Sequence, residues 1–158
     1  EAGVRVKLDD SDNSPGWKFN EWEMKGVPVR LELGPRDIEA GKMICVRRDT
    51  HEKAEYALEN ADNVVKDLLD SVQKHMLEAA RERRDKRIVY ADDMAGILSA
   101  VENGNFVKAG WCGARACEDK IKEQTAATAR VYAEGETAKK CAVCGGAAKH
   151  MVIFARAY

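Results

Sequence analysis

The sequence predicts an α/β fold followed by a small α+β metal-binding domain, and three observations carry that prediction. Short alternating apolar stretches are interleaved with helix signals through the first part of the chain, the order of an α/β unit. Apolar residues then recur at three- and four-residue steps from Ala54 to Leu77, the mark of one long amphipathic helix. Four of the five cysteines form two close pairs late in the chain, where helices shorten and strands return.

The elements follow in order. Val4, Val6 and Leu8 alternate with Arg5, Lys7 and Asp9, which predicts a first strand. Asp9 to Asn13 is polar and turn-rich. Ser14 suits a helix N-cap, and Pro15 suits the first helical position, where its missing N–H would be unpaired anyway. That helix is predicted to run to about Lys25, with Gly26 taking the left-handed turn that ends it. Val27, Val29, Leu31 and Leu33 alternate, predicting a strand with one buried face and with Arg30 and Glu32 on the other. Gly34-Pro35 stops it, and Arg36 to Ala40 forms a short turn or helix closed by Gly41. Lys42 to Arg48 is a further strand, apolar on both faces and therefore central in its sheet.

A long helix is predicted over about residues 52–85. At about 1.5 Å per residue it would span nearly 50 Å, enough to bridge two domains. Acids crowd its start and bases its end (Arg81, Arg83, Arg84, Lys86, Arg87), which complements the helix dipole. The basic end reads as a solvated face. Asp92 or Asp93 caps another helix through Met94, Ile97, Leu98 and Val101, ended by Asn103-Gly104. Composition changes from Asn105, and a boundary near residues 85–92 is expected to divide the chain into domains 1–88 and 89–158, with the long helix bridging them. In the second domain EDKIKEQ reads as a short helix and ATARVYA as a strand. Met151, Ile153 and Ala155 then alternate with Val152, Phe154 and Arg156.

The formal net charge is −1, and segments 1–50, 51–90 and 91–158 carry −1, −1 and +1. No segment is a broad basic patch, so any RNA contact must be local and specific. No apolar run approaches a membrane span, and no signal peptide is expected. His51, His75 and His150 are scattered, so neither a catalytic dyad nor a second metal site emerges. No glycine-rich phosphate loop and no Ser-His-Asp constellation can be assembled, leaving no catalytic residues to assign.

Cys112, Cys117, Cys141 and Cys144 lie in two knuckles, WCGARAC and KCAVCGG, separated by 23 residues. Short spacing with adjacent glycines aims paired thiolates at one ion, and a set of four cysteines leaves no open coordination position, which predicts a structural Zn2+ site. Disulfides are the competing reading, but nothing points to secretion, and cytosol keeps thiols reduced. The segment from about Asn105 onward is short and alanine-rich, so it is expected to lack a deep core and to depend on the metal. Cys45, inside an apolar strand, reads as a small buried hydrophobe.

Ser14 to Asp37, SPGWKFNEWEMKGVPVRLELGPRD, is the most distinctive stretch. Its predicted geometry brings Arg30, Glu32, Arg36 and Asp37 to one surface, with Glu23 and Lys25 on the adjoining helix end. Arginine meets the O6 and N7 acceptors of guanine, and a carboxylate accepts from its N1–H and amine, so this mixture suits a guanine in a single-stranded loop. An exposed Arg30–Glu32 pair of little consequence is the plain alternative.

The run GWKFNEWEMKGVP followed by R-x-E-x-GPRD resembles the anticodon-binding domain of prolyl-tRNA synthetases, class II enzymes that attach proline to tRNA. The paired cysteines resemble the C-terminal zinc-binding domain of the archaeal- or eukaryotic-like type of this family. The resemblance implies that Glu23, Arg30 and Arg36 match base-contacting places for the two guanines of the proline anticodon, and it extends to Glu32 and Asp37. It implies tRNA(Pro) as partner, a cytoplasmic location and a homodimeric parent. In that parent a separate catalytic domain, absent from these residues, binds ATP, Mg2+ and proline. Because Glu1 already sits inside a strand pattern, the chain is expected to be a fragment, inactive alone, its α/β domain truncated of an earlier strand and helix. The resemblance also implies that the carboxylate of Tyr158 approaches the catalytic domain; packing of Tyr158 on the zinc domain is the plain alternative. Two rival functions are a stand-alone RNA-binding or regulatory module and a zinc-stabilised protein-interaction module.

Overall fold

Ser14 opens the first helix, α1 (Pro15–Met24), with extended backbone and a hydroxyl that accepts the Trp17 N–H at 3.4 Å. Gly26, at φ +83°, turns the chain out of α1 into β1 (Val29–Glu32). The computed structural model describes residues 3–157, so the expectation for Tyr158 falls outside the described residues. The chain divides into two compact units, Glu1–Ala80 and Arg81–Tyr158.

In the first unit α2 (Pro35–Glu39) follows β1, then β2 (Lys42–Arg47) and β3 (Lys53–Ala57). These strands form an antiparallel sheet in the order β1-β2-β3, with Val29 opposite Arg47 and Lys42 opposite Ala57. β2 is central, as its two apolar faces predict. A long helix, α3 (Ala61–Lys86), starts in this unit, and its Val72, Leu68 and Leu69 join Val29, Met43 and Cys45 in the core. Cys45 is 2% exposed, the buried hydrophobe that its strand context predicts.

Three expectations are corrected here. Residues 4–8 form no strand: Val6 and Leu8 are 84% and 75% exposed. Alternation makes a strand only where a neighbour completes the hydrogen-bond ladder, and none among the described residues does. Instead Asp9 fastens this segment, its carboxylate accepting the Trp22 indole N–H at 2.6 Å and the Ser11 N–H at 3.1 Å. The long helix does not begin at 52. Lys53–Ala57 pairs with β2 as β3, a short 3-10 turn Leu58–Asn60 follows, and α3 has 26 residues, about 39 Å. Ala54 and Ala57 fit the helical steps, but KAEYA also alternates, and the ladder offered by β2 decides between them. Finally, the predicted buried face of β1 is buried at Val29 alone. Leu31 and Leu33 are 39% and 49% exposed, because β1 is an edge strand of the described sheet.

The second unit contains β4 (Ile88–Ala91), α4 (Met94–Glu102), β5 (Phe106–Trp111), α5 (Arg115–Thr125), β6 (Ala127–Tyr132) and β7 (His150–Arg156). The sheet order is β4-β5-β7-β6, with β4 and β5 parallel across α4 and the other pairs antiparallel. Asp93 caps α4 by accepting the Gly96 N–H at 2.8 Å. Ile97, Val101, Val107, Ile121, Val152 and Phe154, none more than 2% exposed, form the centre of an apolar core. The segment from Asn105 onward, expected to be too small to hold a deep core by itself, shares this one with earlier residues. Ala91, Ile97 and Val101 come from β4 and α4, ahead of Asn105, and close a core that the later residues could not complete alone. Among the described residues, no helix is long and apolar enough to cross a membrane.

Candidate functional site

Two chemical groupings stand out, one in each unit. The first is built on α1, β1 and β3. Arg30 and Glu32 are two apart on β1, so their side chains share a face. Arg30 Nε and NH2 donate to Glu32 Oε1 at 3.1 and 2.9 Å, and Lys53 Nζ from β3 donates to Glu32 Oε2 at 2.7 Å. Register explains the meeting: Arg30 lies opposite Val46, and Val46 opposite Lys53. The Arg30 guanidinium sits 3.9 Å from the centroid of the Phe19 ring on α1, a cation–π seat that fixes its plane. Burial would push the Glu32 carboxyl up, but the hydrogen bonds and charges of Lys53 and Arg30 outweigh it and hold the group below the usual range.

The other predicted residues make contacts of their own. Glu23, near the end of α1, has its carboxylate 3.7 Å from Nδ1 of His51 in the β2–β3 turn. Asp37 is occupied in its own helix: its Oδ2 accepts the Gly34 N–H at 2.8 Å and its N–H donates back to the Gly34 carbonyl at 3.0 Å, closing the start of α2. Arg36 projects from α2, exposed, with no ion pair among the described residues. Lys25 turns to Glu21 at 2.6 Å and lies over the Trp22 ring. Sequence reasoning missed Lys53, because its segment reads as helix, and it passed over Phe19 as one aromatic among three. Spacing gives no hint of either contact; the sheet register brings in Lys53, and the seating of α1 against β1 brings in Phe19.

The β2–β3 turn beside this group is firmly built. Arg47 grips Asp49 through Nε–Oδ1 at 3.1 Å and NH2–Oδ2 at 2.8 Å, and reaches Ser71 on α3 at 2.9 Å. Nδ1 of His75, also on α3, meets Asp49 Oδ2 at 2.6 Å. The Arg47 pairing, against the opposing effect of burial and with help from His75, holds the Asp49 carboxyl down at about 2.

The second grouping is the four cysteines, brought together as their spacing predicts. Cys112 follows β5, Cys117 lies in the first turns of α5, and Cys141 and Cys144 flank a tight turn closed by the Cys141 N–H to Gly146 carbonyl bond at 2.7 Å. Their sulfurs all lie within 4.8 Å of one another, with Cys112 to Cys117 at 3.6 Å and Cys112 to Cys144 at 3.9 Å. All four are free thiols. A tetrahedral centre with metal–sulfur bonds of about 2.3 Å places its sulfurs about 3.7 Å apart, so the four can hold one metal ion. Burial raises the Cys117 thiol, reinforced by its sulfur neighbours. At Cys141 burial acts upward too, but the backbone N–H groups of Cys144, Val143 and Cys112 favour the thiolate and bring it down to about 7. A thiolate already served by N–H donors is the usual environment of a metal-bound sulfur.

The knuckle approaches β5 closely. The Ala142 N–H donates to the Gly110 carbonyl at 2.9 Å, and a Cβ at Gly110 would run into the Lys140 carbonyl and lie 2.7 Å from Ala138 Cβ. Only glycine lets this ribbon lie against the strand that leads into Cys112.

Comparison with known proteins covers both units. Residues 1–68 match the anticodon binding domain model, and residues 94–158 match the model for the C-terminal domain of prolyl-tRNA synthetase. A proline–tRNA ligase of Lachnoclostridium phytofermentans is 50% identical over 99% of this chain and 34% of its own length. One from Clostridium botulinum is 46% identical over 98% of this chain and 33% of its own. A crystal structure of a prolyl-tRNA synthetase from Cryptosporidium parvum, bound to L-proline and AMP, superposes with a TM-score of 0.93 at 35% identity, covering 99% of this chain and 34% of that one. The chain thus spans about a third of the length of the curated relatives it matches. It belongs to the prolyl-tRNA synthetase family, carrying an anticodon-binding domain followed by the C-terminal domain of those enzymes.

Proposed function

We propose that this chain selects tRNA(Pro) for a proline–tRNA ligase, reading the anticodon guanines through Glu23, Arg30, Glu32, Arg36 and Asp37. The observation that carries this reading is the half-buried Arg30–Glu32–Lys53 group seated on Phe19, inside the residues that match an anticodon-binding domain. Arg30 and Arg36 supply forked donors for guanine O6 and N7, and the carboxylates accept from its N1–H and amine. Asp37 contributes its free oxygen, the other being held by the Gly34 N–H. The organisation is an anticodon-binding domain over 1–88 and a zinc-binding domain over 89–158. Zinc held by Cys112, Cys117, Cys141 and Cys144 is structural: it fixes the two knuckles on one another and leaves no open position for chemistry. Activation of proline with ATP and Mg2+ falls to a catalytic domain of the whole enzyme, a cytoplasmic homodimer by family resemblance.

The test is binding of this chain to an RNA hairpin carrying the proline anticodon, against hairpins with either guanine replaced by adenine. Arg36→Ala and Glu23→Ala should each reduce the preference for guanine by about 1–3 kcal/mol, the size of one good base contact. Lys139→Ala, in the other unit, should leave it unchanged. Equal binding of all hairpins by the unaltered chain would overturn the reading in favour of a protein-interaction module.

A further inference from the structure

His51 is presented beside Glu23 in a way that the turn does not itself require. Its backbone sits at φ +58°, in the left-handed region that glycine adopts at no steric cost and that a Cβ disfavours. Its side chain is 70% exposed, so packing does not explain the choice of residue. The turn around it is rigid. Arg47 holds Asp49 through two hydrogen bonds, His75 holds it through a third, and the Arg47 N–H donates to the Glu52 carbonyl at 3.0 Å. A strained residue persists where its surroundings over-determine it, and such residues cluster at functional sites.

The neighbour gives the function. Nδ1 of His51 and Oε1 of Glu23 are 3.7 Å apart, an imidazole donor beside a carboxylate acceptor, both facing solvent. Guanine presents the complementary pair on its Watson–Crick edge, the O6 acceptor next to the N1–H donor. Adenine presents the reverse, an amine donor next to an N1 acceptor. We propose that His51 is a base-contacting residue that reads one anticodon guanine together with Glu23: the carboxylate accepts from N1–H while the imidazole N–H donates to O6. This rests on the reading that this surface binds the proline anticodon.

The experiment uses the 158-residue chain with fluorescently labelled hairpins bearing the proline anticodon, or with adenine at one guanine or the other. His51→Gly removes the donor and relieves the backbone, so its thermal midpoint should not fall. It should lose about tenfold of the preference for guanine over adenine at one of the two positions. His51→Asn, which tolerates the left-handed backbone and keeps an N–H donor, should recover most of that preference. An unchanged preference in His51→Gly, or an equal loss on all hairpins, would overturn the proposal; if Arg36→Ala still lowers the preference, the wider reading stands. Loss of fold in the glycine variant together with full preference in a folded His51→Leu would overturn it as well. Absence of any preference in the unaltered chain removes both.

Discussion

Asp49 closes β2 with its side chain only 4% exposed, and it meets Arg47 from its own strand end and His75 from α3. Its carboxyl is held at about 2, below the ordinary 3.8, with the Arg47 hydrogen bond as the first cause. A depressed carboxylate stabilises the fold in full well above its unfolded value and loses that contribution as pH falls through its folded one. A shift of this size corresponds to on the order of 2 kcal/mol. Asp49→Asn should therefore cost about 1–3 kcal/mol at neutral pH, and the gap to the unaltered chain should narrow as pH drops from about 4 toward 2. Urea unfolding across that range measures it; a gap independent of pH would mean the carboxylate charge is not what holds the turn. At this scale the sequence is legible where partners are local. Ser14 and Asp93 announce their caps because each serves an N–H three residues on. The Arg47–Asp49–His75 meeting is not legible, because it depends on how a strand and a helix 26 residues further along lie against each other.

Elements were read best where one periodicity stood alone. β2, apolar on both faces, declared itself central, and α4 was bracketed by its Asp93 cap and Asn103-Gly104 stop. β3 was lost in a helical pattern, because Ala54 and Ala57 satisfy both periods and only the partner strand decides. The close approach of the second knuckle to β5 was equally hidden, since Gly110 differs from an ordinary strand glycine only through what lies over it. Gly110→Ala should push the ribbon at 138–142 outward, costing about 1–3 kcal/mol by overpacking. It should also separate the cysteine pairs, so that thermal unfolding comes earlier and the thiols react faster with a colorimetric reagent. A variant that retains stability and metal would show that the ribbon can move aside freely.

For the whole molecule, the anticodon-type run and the cysteine pairs were legible because both are local in sequence, whereas the sharing of core residues was not. The second unit holds an apolar core that reaches back to Ala91, so its sheet would not rest on the proposed metal alone. Chelation, or Cys141→Ser, should release the metal and speed amide exchange around residues 111–117 and 140–149, while β5 and β7 keep most of their protection. Cys45→Ser, in the other unit, should leave metal content unchanged. Metal analysis with hydrogen exchange tests both, and collapse of protection throughout residues 88–156 would instead make the metal the keystone of the fold. The sheet order β4-β5-β7-β6 carries one more consequence. β7, the latest of these strands to be synthesised, sits in the interior between β5 and β6. On the ribosome, β5 and β6 have no common neighbour until β7 clears the exit tunnel. Assembly of this unit must therefore wait for β7, so a chain stalled before residue 150 leaves two open strand edges for chaperones to guard.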